Sequence, residues 1–241
     1  MRDNPIGEGI KMKKVLVLAA CMVLLLAGAA QAELLTFTSV SPGQGVNITV
    51  NTPNLNGNLS TTAGMYNFDI AAGSPFTGSY KGFCVDPAVA HVGDNWNVSI
   101  IAVTDGSRYE AAAYLLGKYY NTTKSDATTA RNVQIAIWEL VWDWVPGAPG
   151  TPGSDLVHGA FILPSAPDPA VQTYITEAIN ALTNFTPTGY YIAASPATGQ
   201  YYNVANQDFI FQAPVPEPGT MMLLGSGLVG LAGWGRKKFR K

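Results

Sequence analysis

Apolar and polar residues alternate in short runs towards both ends of the body of the chain, and they follow a helical period between those runs. Alternation predicts half-buried strands, whereas apolar positions three and four residues apart predict amphipathic helices. Strands followed by helices and again by strands predict an α+β domain over residues 33–212, namely a β barrel or sandwich with a helical insertion. The strands are predicted at residues 46–50, 66–70, 82–85, 96–103, 190–193, 201–204 and 209–212.

Three helices are predicted within the insertion, two from their start signals and one from its end signal. Ser107 followed by Glu110 has the spacing of a capping box, which predicts a helix from there to about residue 120. A second helix is predicted over residues 126–144, before a run rich in proline and glycine. Asp168 followed by Pro169 predicts the third helix, with the aspartate as N-cap and the proline in the first turn.

Composition supports a folded domain and argues against a nucleic-acid partner. Of the 241 residues, 47% are hydrophobic and only 12% are charged, against about 25% charged in a typical soluble domain. Between Glu33 and Val215 there are five basic and thirteen acidic residues. An acidic body lacks the basic patch that binds nucleic acid.

The N-terminal residues have the layout of a secretory signal peptide. Three lysines between positions 11 and 14 precede an apolar run at residues 15–30, and Ala30-Gln31-Ala32 offers small residues around a cleavage point. We therefore expect signal peptidase to remove residues 1–32. Met12 fits a start codon as well as Met1, because the residues before it add nothing that a signal needs.

The C-terminal residues combine a short motif, an apolar segment and a basic tail. The uncharged residues 219–235 would form a transmembrane helix of about 25 Å at a rise of about 1.5 Å per residue. The positive-inside rule places the basic residues in the cytoplasm and the body outside. The motif consists of Val215, Pro216, Glu217 and Pro218. The tail contains Arg236, Lys237, Lys238, Arg240 and Lys241.

These three parts together resemble the PEP-CTERM sorting signal. Exosortases recognise that signal in Gram-negative bacteria that make exopolysaccharide. The resemblance implies an exported protein that is anchored in the membrane by its C-terminal helix, is cleaved near Pro216, and then reaches the cell surface or the extracellular matrix. It covers residues 213–241 alone and implies nothing about the activity of the body.

A single cysteine remains in the body once the signal peptide is removed. Cys21 leaves with that peptide, so Cys84 has no partner for an intramolecular disulfide. A lone cysteine in an exported protein indicates intermolecular pairing or special chemistry. The alternative is a small buried apolar residue in the strand at residues 82–85.

A glutamine lies in the middle of the apolar face of the second helix. At 100° per residue, Gln134 falls among Ile137, Trp138 and Val141. A buried amide without a partner costs about 1–3 kcal/mol, so the core should supply a partner for it, and backbone groups would suffice. The opposite sector is polar and contains Asn132, Glu139 and Asp143.

The surroundings of the cysteine and the glutamine resemble the thioester domains of bacterial surface adhesins. The matching segments are Phe83-Cys84-Val85-Asp86 and Val133-Gln134-Ile135-Ala136-Ile137-Trp138. That family has a Thr-Gln-x-Ala motif, and Val133 departs from it. The resemblance implies an internal thioester between the Cys84 sulfur and the Gln134 side-chain carbon, which would bind an amine- or hydroxyl-bearing target covalently. The stretch 80–144 also resembles a body that recurs among PEP-CTERM proteins.

Other chemistry is not indicated by the sequence. Asp86, His91 and Asp94 have irregular spacing for a metal site, and no motif for an enzyme, metal or cofactor occurs. We therefore expect a protein that is not an enzyme. The alternative to the thioester is a non-catalytic structural or sugar-binding protein of an exopolysaccharide matrix. Its binding aromatics would be the tyrosine pairs Tyr190, Tyr191, Tyr201 and Tyr202.

Overall fold

The computed structural model describes residues 32–51, 56–86, 90–143, 156, 160–195 and 206–214. These residues contain seven antiparallel strands, three α-helices and a short 3₁₀ helix (Leu182–Asn184). The predicted signal peptide, the strand at 201–204 and the transmembrane helix at 219–235 lie outside these residues. The strands are β1 (Glu33–Asn51), β2 (Asn56–Ile70), β3 (Gly78–Cys84), β4 (Asn95–Ala102), β5 (Phe161–Ile162), β6 (Tyr190–Ala194) and β7 (Phe209–Gln212). The helices are α1 (Glu110–Thr123), α2 (Ala127–Trp142) and α3 (Pro169–Ala181).

The hydrogen-bonded order of the strands closes on itself. The sheet order is β2-β3-β7-β6-β4-β1-β5, and β1 also pairs with β2. Leu35 on β1 lies opposite Ile70 of β2 and opposite Trp96 of β4. Strand β1 can reach both neighbours because it has 19 residues and two register shifts, and such irregularities bend a strand. The mostly β architecture with helices inserted between β4 and β6 agrees with the predicted class.

From Asn132 onwards, helix α2 is buried on every side. It packs against β1, β2, α1 and α3, and the described side chains from Asn132 to Trp142 are all buried. Asn132 and Glu139, which lie in the polar sector opposite Gln134, are therefore buried as well. Asn132 donates a hydrogen bond from Nδ2 to Asp168 Oδ2 at 2.9 Å.

Two of the three predicted helix starts are confirmed. Asp126 caps α2 by accepting the Thr128 N–H at 3.0 Å, and Asp168 caps α3 in the same way. The capping box at α1 is wrong, since Tyr109 is the N-cap and no side chain caps it. The Glu110 carboxylate accepts the Gly106 N–H at 2.7 Å instead, because a turn of residues lies between Ser107 and the helix.

Within the described residues, no helix is long and apolar enough to cross a membrane.

Candidate functional site

Cys84 is the last residue of β3 and is completely buried. On one side β3 pairs with β7, where Cys84 lies opposite Phe209. Gly82, two residues earlier, allows this close approach, since a Cβ there would lie 2.1 Å from the Ile210 carbonyl oxygen. The next residue, Val85, donates its N–H to Asp208 O at 3.0 Å. Because main-chain groups alternate in direction along a strand, the N–H and C=O of Cys84 point away from β7.

Gln134 on α2 satisfies both of these main-chain groups. Its Oε1 accepts the Cys84 N–H at 2.9 Å, and its Nε2 donates to Cys84 O at 2.8 Å. Strand β2 pairs with β3 only as far as Tyr66 opposite Gly82, so the glutamine amide takes the place of a strand residue beyond the end of that ladder. The structure thus brings together two residues that are fifty positions apart in the chain.

The Cys84 thiol lies in a dry environment that keeps it protonated. Its sulfur donates a hydrogen bond to the Asp86 carbonyl oxygen at 2.8 Å. Burial raises the pKa of the thiol well above its ordinary value, and the negative charge of Asp86 raises it further. The hydrogen bond to the Asp86 main chain and the nearby Trp138 side chain act in the opposite direction and are outweighed.

Aromatic side chains separate this site from solvent. Trp142 donates its indole N–H to Val85 O at 3.0 Å, next to the cysteine. The rings of Trp138 and Trp142 lie 6.1 Å apart, and both pack against Phe161 of β5. All three side chains are buried. Water therefore has little access to the sulfur and the amide.

Two carboxylates, one buried and one partly buried, complete the polar cluster beside the cysteine. Asp86 is 6% exposed, and its Oδ2 accepts the Asp208 N–H at 3.0 Å. Asp208 in turn accepts the Ser195 N–H at 2.7 Å. Burial raises the pKa of Asp208, and its hydrogen bonds with Ser195 oppose this shift. Sequence reasoning missed this cluster, although Asp86 stands only two positions after Cys84.

The remaining candidates do not form a second site in the described part of the chain. Tyr190 and Tyr191 are buried at 9% and 8% exposure, so this pair cannot offer ring faces to a sugar. Tyr201 and Tyr202 lie outside the described residues. No group of three or more metal-ligating side chains occurs among the described residues.

The sorting signal lies at the C-terminal end of the sequence, directly after β7. Val215 and all residues that follow it are outside the described residues. Residues 214–237 match the PEP-CTERM protein-sorting motif. The chain is thus an exported surface protein that exosortase processes, and its C-terminal region anchors it in the membrane beforehand. No curated protein and no solved structure matches the chain.

Proposed function

We propose that this PEP-CTERM protein binds a partner covalently through an internal thioester between Cys84 and Gln134. The observation that carries the proposal is the pair of hydrogen bonds, 2.9 and 2.8 Å, that hold the Gln134 carboxamide against the buried Cys84 main chain. Burial of both residues also supports it, because a thioester persists only where water is excluded.

The chemistry balances with these two residues alone. The Cys84 sulfur attacks the carboxamide carbon of Gln134, a carbon–sulfur bond forms, and the carbon–nitrogen bond breaks with release of ammonia. An amine from the target later attacks the same carbon. A new amide then joins the target to position 134, and the cysteine becomes a thiol again. Each chain reacts once and keeps its target, so there is no turnover, and the protein acts as a covalent adhesin and not as an enzyme.

The charge of the body favours amine-bearing targets. Thirteen acidic and five basic residues between Glu33 and Val215 attract cationic groups over distances of about a Debye length, roughly 8 Å at physiological salt. Amines or hydroxyls of the exopolysaccharide matrix around a Gram-negative cell are the targets that we propose.

The same hydrogen bonds support a second candidate. A glutamine that only satisfies the Cys84 main chain would need no thioester, and the chain would then be a non-catalytic structural protein of the matrix. In that case Cys84 and Gln134 would contribute to stability alone. Adhesion would then persist in Cys84→Ala.

The deciding experiment is the intact mass of the purified protein. A thioester makes the chain one ammonia lighter than its sequence. The deficit should be absent in Cys84→Ala and in Gln134→Ala, and methylamine should restore the mass with a methyl group added at Gln134. Gln172→Ala on the exposed face of α3 is the matched control and should keep the deficit. A wild-type chain at full sequence mass would reject the thioester.

A separate measurement tests the processing of the two ends. We expect the mature protein to lack residues 1–32 and the basic tail from Arg236 to Lys241. Recovery of an intact tail from cells with an active exosortase would contradict cleavage near Pro216.

A further inference from the structure

Formation of the thioester requires the removal of a proton from a thiol that holds it tightly. Burial raises the pKa of Cys84, so little thiolate exists at neutral pH, and the thiolate is the reactive form. Water is largely excluded by Trp138 and Trp142. The proton must therefore be taken up by a group of the protein that is already inside the site.

Asp86 is a carboxylate in the right place. Its Oδ1 lies 3.8 Å from the Cys84 sulfur. Its other oxygen, Oδ2, accepts the Asp208 N–H at 3.0 Å, and this hydrogen bond fixes the carboxylate with Oδ1 turned towards the sulfur. The Asp86 carbonyl oxygen receives the thiol hydrogen bond at 2.8 Å, so the same residue also orients the sulfur.

Apart from the carboxylates of Asp86 and Asp208, the side chains that surround the sulfur and the amide are poor proton acceptors. Gln134 is an amide, and the Trp138 and Trp142 indoles are donors only. Asp208 directs its Oδ1 to the Ser195 N–H at 2.7 Å. The 3.8 Å between Asp86 Oδ1 and the sulfur is within the longer reach of hydrogen bonds to sulfur, so the carboxylate can act as a general base once the thiol hydrogen turns from the Asp86 carbonyl oxygen to Oδ1.

We propose that Asp86 is the catalytic acid–base of the thioester, a role that rests on the proposed function. During formation, the Asp86 carboxylate accepts the thiol proton while the Cys84 sulfur attacks the Gln134 carbon, and the protonated carboxyl returns that proton to the departing nitrogen, which leaves as ammonia. During capture, Asp86 accepts a proton from the attacking amine and delivers it to the Cys84 sulfur as the carbon–sulfur bond breaks. Asp86 is a carboxylate again at the end of each step.

The variant Asp86→Asn tests this role with minimal change in shape. Its amide oxygen can still accept the Asp208 N–H, but it cannot take up a proton. General acid–base catalysis contributes about 10²–10⁴-fold, so we expect the ammonia loss to be slowed at least about 100-fold in newly synthesised chain, and methylamine capture by any thioester that forms to be slowed equally. Asp94→Asn, which removes an exposed carboxylate eight residues away, should match the wild type.

The outcomes separate the two proposals. A wild-type chain at full sequence mass would reject the thioester itself. A light wild-type chain with an equally light, equally reactive Asp86→Asn variant would leave the thioester intact and overturn the role of Asp86. If circular dichroism shows that the variant does not fold, the rate of methylamine capture by the wild type in deuterium oxide tests the role of Asp86 instead. Proton transfer in the rate-limiting step predicts slower capture there, and an unchanged rate would overturn the proposal.

Discussion

Replacement of Gln134 by alanine should destabilise the fold strongly in the form of the protein that keeps the Gln134 carboxamide, because thioester formation would release its amide nitrogen. The change removes Gln134 Oε1, which accepts the Cys84 N–H at 2.9 Å, and Gln134 Nε2, which donates to Cys84 O at 2.8 Å. Each buried polar group left unsatisfied costs about 1–3 kcal/mol, so we expect a loss of about 2–6 kcal/mol before any cavity is counted. A natural domain has only about 5–15 kcal/mol of stability, so the urea midpoint should fall markedly.

Two further variants make this measurement specific. Gln172→Ala makes the same chemical change on an exposed helix face and should cost far less. Cys84→Ala keeps the main-chain groups and the Gln134 amide, so it isolates any covalent link. In the chain-entropy description of cross-links, closing a loop of fifty residues contributes about 4 kcal/mol. Urea unfolding followed by fluorescence gives all three values. A loss for Gln134→Ala no larger than that for Gln172→Ala would refute the assigned hydrogen-bonding role.

Three other measurements follow from the described contacts. Gly117→Ala should lower the melting temperature in spite of the helix propensity of alanine, because its Cβ would lie 2.0 Å from the Tyr190 hydroxyl oxygen. Adding Tyr190→Phe removes that oxygen and should restore part of the lost melting temperature. No restoration would contradict the clash. Hydrogen bonds from a main-chain N–H and a side-chain amide lower the pKa of Asp168 below 3.8, so its contribution to stability is present above that pH and is lost as the pH falls through the lowered pKa. In Asp168→Asn the melting temperature should therefore fall less steeply with acid than in the wild type. An unchanged acid dependence would contradict this. Any free Cys84 thiol should resist iodoacetamide at neutral pH until urea is added, because burial raises its pKa; rapid alkylation of the native protein would show that the site is open.

Local signals in the sequence predict much of the fold. The strand at residues 209–212 is observed with those bounds, α2 begins within one residue of its predicted start, and the aspartate cap of α3 is where the sequence places it. The long strand β1 is underpredicted, since only residues 46–50 alternate clearly while the strand begins at Glu33. Its pairing with both β2 and β4 is a tertiary effect, which no local pattern contains.

The candidate site is predictable only in part. A glutamine on an apolar helix face requires a partner, and this reasoning correctly draws attention to Gln134. The same reasoning does not predict that the partners are the main-chain N–H and C=O of Cys84. These two groups are available to Gln134 because β2 stops pairing with β3 after Gly82, which is a property of the tertiary fold. The role of Asp86 depends on the Asp208 N–H, which is contributed by a residue 122 positions later in the chain.

The position of Cys84 opposite Phe209 has a mechanical consequence for a tethered protein. The sorting signal follows β7 directly, so in a protein tethered to the cell through that end, tension would enter at Gln212, the C-terminal end of the strand. A target joined at Gln134 would pull beside Cys84, next to the N-terminal end of β7. The load then runs along the length of β7, whose hydrogen bonds to β3 and β6 resist together in shear. Peeling the strand away, which breaks these hydrogen bonds one after another, would require far less force.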